Sequence, residues 1–373
     1  MSKNPLKQVE TLGQSIWLDY IRRDLITSGE LSRLIEEDGL RGMTSNPSIF
    51  EKAIGESHDY DEDIRSMALK ETGAKEIYEA LSQHDVQRAA DIFRPLYDRT
   101  DGLDGYVSLE VNPHLANDTD GTVKEARRLW RALNRPNVFI KVPATVEGVP
   151  AIQQLISEGI NVNVTLLFGV PRYRQVAEAH IAGLEARVAQ GKAVKRVASV
   201  ASFFVSRIDV LVDQLLDTLL AQGGKEADLA KGLRGKVAIA SAKVAYQSYK
   251  ELFGTVRFES LTAAGARVQR LLWASTGTKD PEYRDVKYVE ALMGPDTVDT
   301  VPLKTLDAFR DHGVANANLE KEVGDAARVL RQLPTLGIDI DHVTRQLEDE
   351  GVAQFNRPFD KLMDTLTKRA AGI

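Results

Sequence analysis

Not one of the 373 residues is a cysteine, which excludes disulfides, zinc-thiolate sites and thiol nucleophiles at once. The absence fits a reducing compartment. Positive charge is also in short supply: 48 Lys and Arg against 54 Asp and Glu give a formal net charge of -6. Without a net positive field there is no general grip on a phosphate backbone, so no nucleic-acid partner is expected, although local basic sites for small anions stay open. No segment approaches the roughly 18 unbroken apolar residues of a membrane helix. The opening MSKNPLKQVETLGQ lacks the apolar centre of a signal peptide, so the expectation is a soluble, cytoplasmic protein with no membrane partner. Also missing are G-x-x-x-x-G-K-[ST], G-x-G-x-x-G, H-E-x-x-H and G-x-S-x-G. The histidines (His58, His84, His114, His180, His312 and His342) are scattered without ligand spacing, so no metal is expected.

What the chain does have is a rhythm. Short apolar runs recur as SIWLD at 15–19, LRGMTSN at 40–46, YVSLEV at 106–111, VFIKV at 138–142, VNVTLLF at 162–168, RVASVAS at 196–202, RLLWAS at 270–275 and VDTVP at 298–302. Between most of them lie stretches of helical period, such as 123–134 and 149–159, as a strand-then-helix alternation requires. Continuous apolar runs are what parallel strands covered on both faces look like. The expected fold class is α/β: a single (β/α)8 TIM barrel over 1–373, with additional helices around 47–103 and 315–373. The tail is expected to pack on the barrel exterior, and Trp17, Trp130 and Trp273 to be core residues.

Six of these runs end in or just past a group with chemical potential: Asp19, Asn46, Glu110, Lys141, Thr165 and Ser202. In a parallel barrel such positions converge on one face, where barrel active sites are built. Each alone is equally well read as the start of a loop. Lys141 is the sharpest of them, because an amine on an apolar strand is kept from water, which favours its neutral, nucleophilic form. By itself it could also be a strand-end lysine snorkelling to solvent. A carbonyl attacked by Lys141 would need acid-base groups nearby, and Asp19 and Glu110 are the two strand-end carboxylates; either could instead be a helix cap or an arginine's partner. In SVASFFVSRIDVLVD, a strand running into a helix, Ser202, Arg207 and the amides at the helix start suit a phosphoryl dianion.

The segments WLDYIRRD at 17–24, GMTSNPSIFEKAI at 42–54, VSLEVNP at 107–113, FIKVPAT at 139–145, INVNVTLLF at 160–168 and SVASFFVSRID at 199–209 resemble transaldolase. The likeness covers roughly residues 10 to 310 and points to the longer bacterial subfamily within the class I aldolase superfamily. It implies transfer of a dihydroxyacetone unit from sedoheptulose 7-phosphate to glyceraldehyde 3-phosphate, giving erythrose 4-phosphate and fructose 6-phosphate, in the non-oxidative pentose phosphate pathway. Lys141 would form the Schiff base and Asp19 would serve cleavage of the C3–C4 bond. Glu110 and Thr165 would hold a proton-relaying water. Asn46 and Asn163 would bind substrate hydroxyls or steady the Schiff base. Ser202 and Arg207 match the phosphate-binding serine and arginine, and Phe204 the aromatic residue beside them. No cofactor is implied, the partners are sugar-phosphate substrates, and the state would be monomer or homodimer.

The chain departs from the family pattern where S-P-F-V-G-R is replaced by Ser202-Phe203-Phe204-Val205-Ser206-Arg207. A second phosphate-binding arginine has no clear match, and Arg257, Arg267 and Lys279 are the candidates to stand in. An alternative is a fructose-6-phosphate aldolase, which releases free dihydroxyacetone; that group typically carries glutamine at the Glu110 position and tyrosine at the Phe204 position. A catalytically silent sugar-phosphate-binding barrel is the reading from a different class, and it would have no need for Lys141, Asp19 and Glu110 together.

Overall fold

The computed structural model describes residues 4–372. Its centre is a closed barrel of parallel strands in sequential order, each bonded to the next and the last to the first. They are β1 (Gln14–Asp19), β2 (Gly42–Thr44), β3 (Tyr106–Glu110), β4 (Val138–Pro143), β5 (Val162–Leu167), β6 (Ser199–Phe204), β7 (Arg270–Ala274) and β8 (Thr297–Val301). All eight runs read from the sequence are therefore strands, shielded from water by the helices outside and the side chains within. Most boundaries shift by a single residue, and the larger shifts fall at β2 and β6. The run at 40–46 contributes only three paired residues, and β6 extends to Phe204 instead of stopping at Ser202.

Register is what builds the site. Glu110 pairs with Lys141, and Lys141 with Asn163, so these three stand level on β3, β4 and β5; Asp19 stands level with Thr44 across β1 and β2. Residues paired in this way point to the same side of the sheet. At the opposite end the barrel is plugged by Trp17, Tyr106 and Phe139, whose rings stack with centroids 4.3 Å apart for Tyr106–Phe139 and 6.0 Å for Trp17–Phe139. Asp19, Glu110 and Lys141 stand at the other end, the mouth formed by the strand C-termini.

The long interval after β2 carries helices Pro47–Gly55, Asp61–Ala68 and Ala74–Arg99, and the one after β6 carries Ser206–Gln222, Lys225–Leu233, Val237–Phe253 and Val256–Ala263. The tail differs from expectation. Helix Val323–Gln332 packs on Val237–Phe253 outside the barrel, but the terminal helix Ile340–Ala371 lies against Pro47–Gly55, Ala74–Arg99 and the end of β5. The reason is its apolar stripe, Val343, Leu347, Gly351, Phe355, Phe359, Leu362 and Leu366. This face needs a surface to cover, and the mouth supplies one. Among the described residues no helix is long and apolar enough to cross a membrane.

Candidate active site

A cavity of about 140 Å³ opens at the C-terminal mouth, lined among others by Asp19, Thr44, Asn46, Lys141, Ser202, Phe204, Arg207, Lys279 and Thr300. A larger hollow of about 340 Å³ lies at the plugged end, against Trp17, Tyr106 and Phe139. Its guanidinium groups are already engaged, Arg267 with Asp101 and Arg270 with Asp104 and Ser15. The mouth is where reactive groups meet.

Lys141 is 4% exposed. Its Nζ donates to the Ser45 carbonyl at 3.1 Å and lies 3.5 Å from the Glu110 carboxylate. Neither Glu110 oxygen has a well-formed hydrogen bond. Burial pushes its carboxyl up to about 7, against the pull of Lys141, so near neutrality Glu110 can either hold or release a proton. Asp19 is raised for the same reason, burial, with Lys141, the Thr44 hydroxyl, Lys279 and Arg207 opposing it in that order. Thr44 Oγ1 donates to Asp19 at 2.7 Å and is in turn bonded to Thr300 Oγ1 at 2.7 Å, which fixes the carboxylate's position.

Behind Lys141 runs a polar chain. Ser202 Oγ donates to Asn163 Oδ1 at 2.7 Å, and Asn163 Nδ2 donates to Ser108 Oγ at 3.0 Å. Thr165, level with Pro143 on the neighbouring strand, is fully buried and its hydroxyl has no protein partner. Just beyond, β5 loses regular register between Val164 and Leu167, with Leu166 at a φ of 55°. Asn46 caps helix Pro47–Gly55, accepting from the Ile49 amide at 3.0 Å. That leaves its Nδ2 as the group able to meet a substrate hydroxyl.

The cationic side is formed by Arg207 and Lys279. Arg207 Nη1 is buried without a partner, and its guanidinium rests 5.4 Å from the Phe204 ring centroid. Burial draws both cations below their ordinary pKa values, and Lys279 is lowered further by Arg207 itself. Two desolvated cations lining one cavity would be relieved by a bound anion.

The chain matches the family model described as Transaldolase/Fructose-6-phosphate aldolase over residues 16–366. The chain belongs to this family. It is 48% identical over 373 residues to a protein named transaldolase from Trichodesmium erythraeum (strain IMS101), covering 99% of this chain and 98% of that one. It is 46% identical over 369 residues to a transaldolase from Thermobifida fusca (strain YX), with 99% of each covered. A transaldolase from Thiobacillus denitrificans (strain ATCC 25259 / T1) is 48% identical over 360 residues, 96% of this chain and 99% of its own.

Within this family framework, the residues singled out from the sequence converge, but not all as expected. Ser202 lies inside β6, not at its end, and its proton is directed to Asn163. A phosphate could take that hydroxyl only by breaking the Asn163 bond. The helix start also offers less than the sequence promised. The amides of Val205 and Ser206 are taken by the Ala274 and Ser275 carbonyls, because β6 and β7 stay paired beyond their strand ends. Of the candidate second cations, Arg257 is held by Glu178 and Glu185, and Arg267 lies at the plugged end; Lys279 lines the cavity. Sequence reasoning missed Thr44, Ser45, Ser108, Thr300 and Phe355. The first two sit inside the TSNPS segment and were findable there; Phe355, remote in the chain, carried no signal.

Proposed function

We propose that the chain, an enzyme of the transaldolase type, transfers a dihydroxyacetone unit between phosphorylated sugars through a Schiff base on Lys141. The observation that carries this reading is the buried amine of Lys141, 3.5 Å from Glu110, in one cavity with Asp19 and with the Arg207 guanidinium, whose buried Nη1 has no hydrogen-bond partner. Each feature answers a requirement of the reaction.

The Lys141 amine adds to the ketose carbonyl to form a carbinolamine, and Glu110, with a water held near Thr165, moves the protons that let this adduct lose water. The resulting iminium draws electrons from the C3–C4 bond. Asp19 takes the C4 hydroxyl proton as that bond breaks, the aldose leaves, and the three-carbon unit stays on Lys141 as an enamine until a second aldose arrives and the steps reverse. Asn163, held by Ser202 and Ser108, and Asn46 orient the hydroxyls of the unit. Arg207 and Lys279 bind the phosphate, with Phe204 as the apolar wall beside it. The substrates in this reading are the sugar phosphates of the non-oxidative pentose phosphate pathway, and residues 1–373 act as one barrel unit, monomer or homodimer, in the cytoplasm.

The test is an assay with fructose 6-phosphate, with and without erythrose 4-phosphate, on the wild type and Lys141→Ala. Sedoheptulose 7-phosphate formed only with acceptor, and only by the wild type, is the expected result. Release of free dihydroxyacetone as the main product would favour the aldolase reaction instead. Activity surviving in Lys141→Ala would overturn the Schiff-base mechanism.

A further inference from the structure

We infer that Phe355, on the terminal helix, determines whether the three-carbon unit carried by Lys141 passes to an aldose or is lost to water. The inference rests on Lys141 being the Schiff-base residue. The other side chains around the cavity come from strands or from the loops and first helical turn that follow them; Phe355 comes from the distant helix Ile340–Ala371. Its ring centroid is 5.8 Å from Lys141 Nζ and the residue is 3% exposed. The imine carbon lies one bond beyond Nζ, so the ring fills space from which a water molecule would otherwise approach that carbon.

The ring is held from both neighbouring turns. Gly351, one turn earlier on the same face, lets the helix sit close on the barrel, since a Cβ there would meet Leu166 Cδ2 at 3.0 Å and lie against Phe168. Phe359, one turn later, packs edge-on against Tyr78 with centroids 5.5 Å apart. A ring fixed in this way is a shield with a set position.

The vulnerable state is the enamine left after the first aldose departs, when the aldose half of the cavity stands empty. Loss to water requires a proton on the enamine carbon, addition of water to the iminium carbon, and cleavage of the C–N bond of the carbinolamine. This returns dihydroxyacetone and the free Lys141 amine. Transfer forms a carbon-carbon bond to the incoming aldose instead, and needs water only when the finished ketose is released. Excluding bulk water during the empty interval therefore favours transfer.

The experiment measures free dihydroxyacetone against sedoheptulose 7-phosphate, from fructose 6-phosphate and erythrose 4-phosphate, for the wild type, Phe355→Leu and Phe355→Ala. The expected ratio rises by roughly 10-fold in Phe355→Ala and by a smaller but measurable factor of about 2 to 3 in Phe355→Leu, which keeps most of the apolar volume. A role in packing alone would lower both products together and leave the ratio unchanged; that result in either folded variant overturns the inference, and Phe355→Leu keeps it testable should Phe355→Ala fail to fold. Borohydride trapping with fructose 6-phosphate separates this failure from the other. A covalent adduct at Lys141 with an unchanged ratio refutes the role of Phe355 alone, whereas no adduct in the wild type refutes the Schiff base and this inference with it.

Discussion

Glu110 and Lys141 stand level on adjacent strands, with 3.5 Å between carboxylate and amine and almost no solvent around either. A carboxyl pushed up to about 7 by burial changes its proton occupancy across the neutral range. The wild-type kcat/KM is therefore expected to show a pH limb near 7. Glu110→Gln should lose that limb and run about 10²- to 10⁴-fold slower. Initial rates from about pH 5.5 to 9 decide it; a limb that stays in place in the variant assigns it to another group.

In the proposed mechanism Asp19 serves bond cleavage and not imine formation: its carboxylate is held by Thr44, while Glu110 stands beside the amine. Asp19→Asn should retain borohydride trapping of fructose 6-phosphate on Lys141 while kcat for transfer falls about 10²- to 10⁴-fold. Mass spectrometry of the reduced protein reads the first part. Loss of trapping in parallel with kcat would move Asp19 into the imine-forming step.

Arg207 and Lys279 are expected to act on binding. Arg207→Ala should raise KM for fructose 6-phosphate by about 10- to 100-fold, and Lys279→Ala by about 3- to 30-fold, with smaller effects on kcat. Inorganic phosphate should compete with substrate in the wild type and much less well in Arg207→Ala. Equal inhibition in both would place the phosphate elsewhere.

Asp299 supplies a stability prediction away from the reacting groups. It is fully buried, accepts one hydrogen bond from Thr276 Oγ1 at 2.9 Å, and leaves its other oxygen unpartnered. Burial pushes its carboxyl from 3.8 up to about 7. The folded state thus favours the protonated form, an advantage complete below the ordinary carboxyl range and lost as pH climbs toward 7. Asp299→Asn, which cannot ionise, should gain Tm relative to the wild type on going from pH 5 to pH 8, by about 1–3 kcal/mol or a few degrees. Thermal unfolding at the two pH values checks the sign; a difference that does not grow with pH would mean Asp299 ionises without cost.

Much of the barrel was legible because a strand buried on both faces must be apolar along its length, and a polar residue at its end then stands out. Lys141 in VFIKV, Glu110 in YVSLEV and Asp19 in SIWLD were visible for that reason. Ser202 shows the limit of this reading. Its presence near the site was legible, but the direction of its proton depends on Asn163, a residue 39 positions away that lies on the neighbouring strand. Lys279 could not be told from Arg257 and Arg267 by composition, because a cation's role is set by what surrounds it: two of the three were already neutralised by carboxylates elsewhere.

The sequence by itself determined the alternation of strand and helix, the closed parallel architecture, and the placing of an amine and two carboxyls at strand ends, since periodicity and strand polarity are local properties. The tertiary structure alone decided which of these groups are level, how far each is removed from water, and what covers them. Register sets the Glu110–Lys141 distance, desolvation sets their proton affinities, and the seating of the terminal helix sets Phe355 over the site; each is a relation between segments distant in the chain, which no single stretch of sequence can encode.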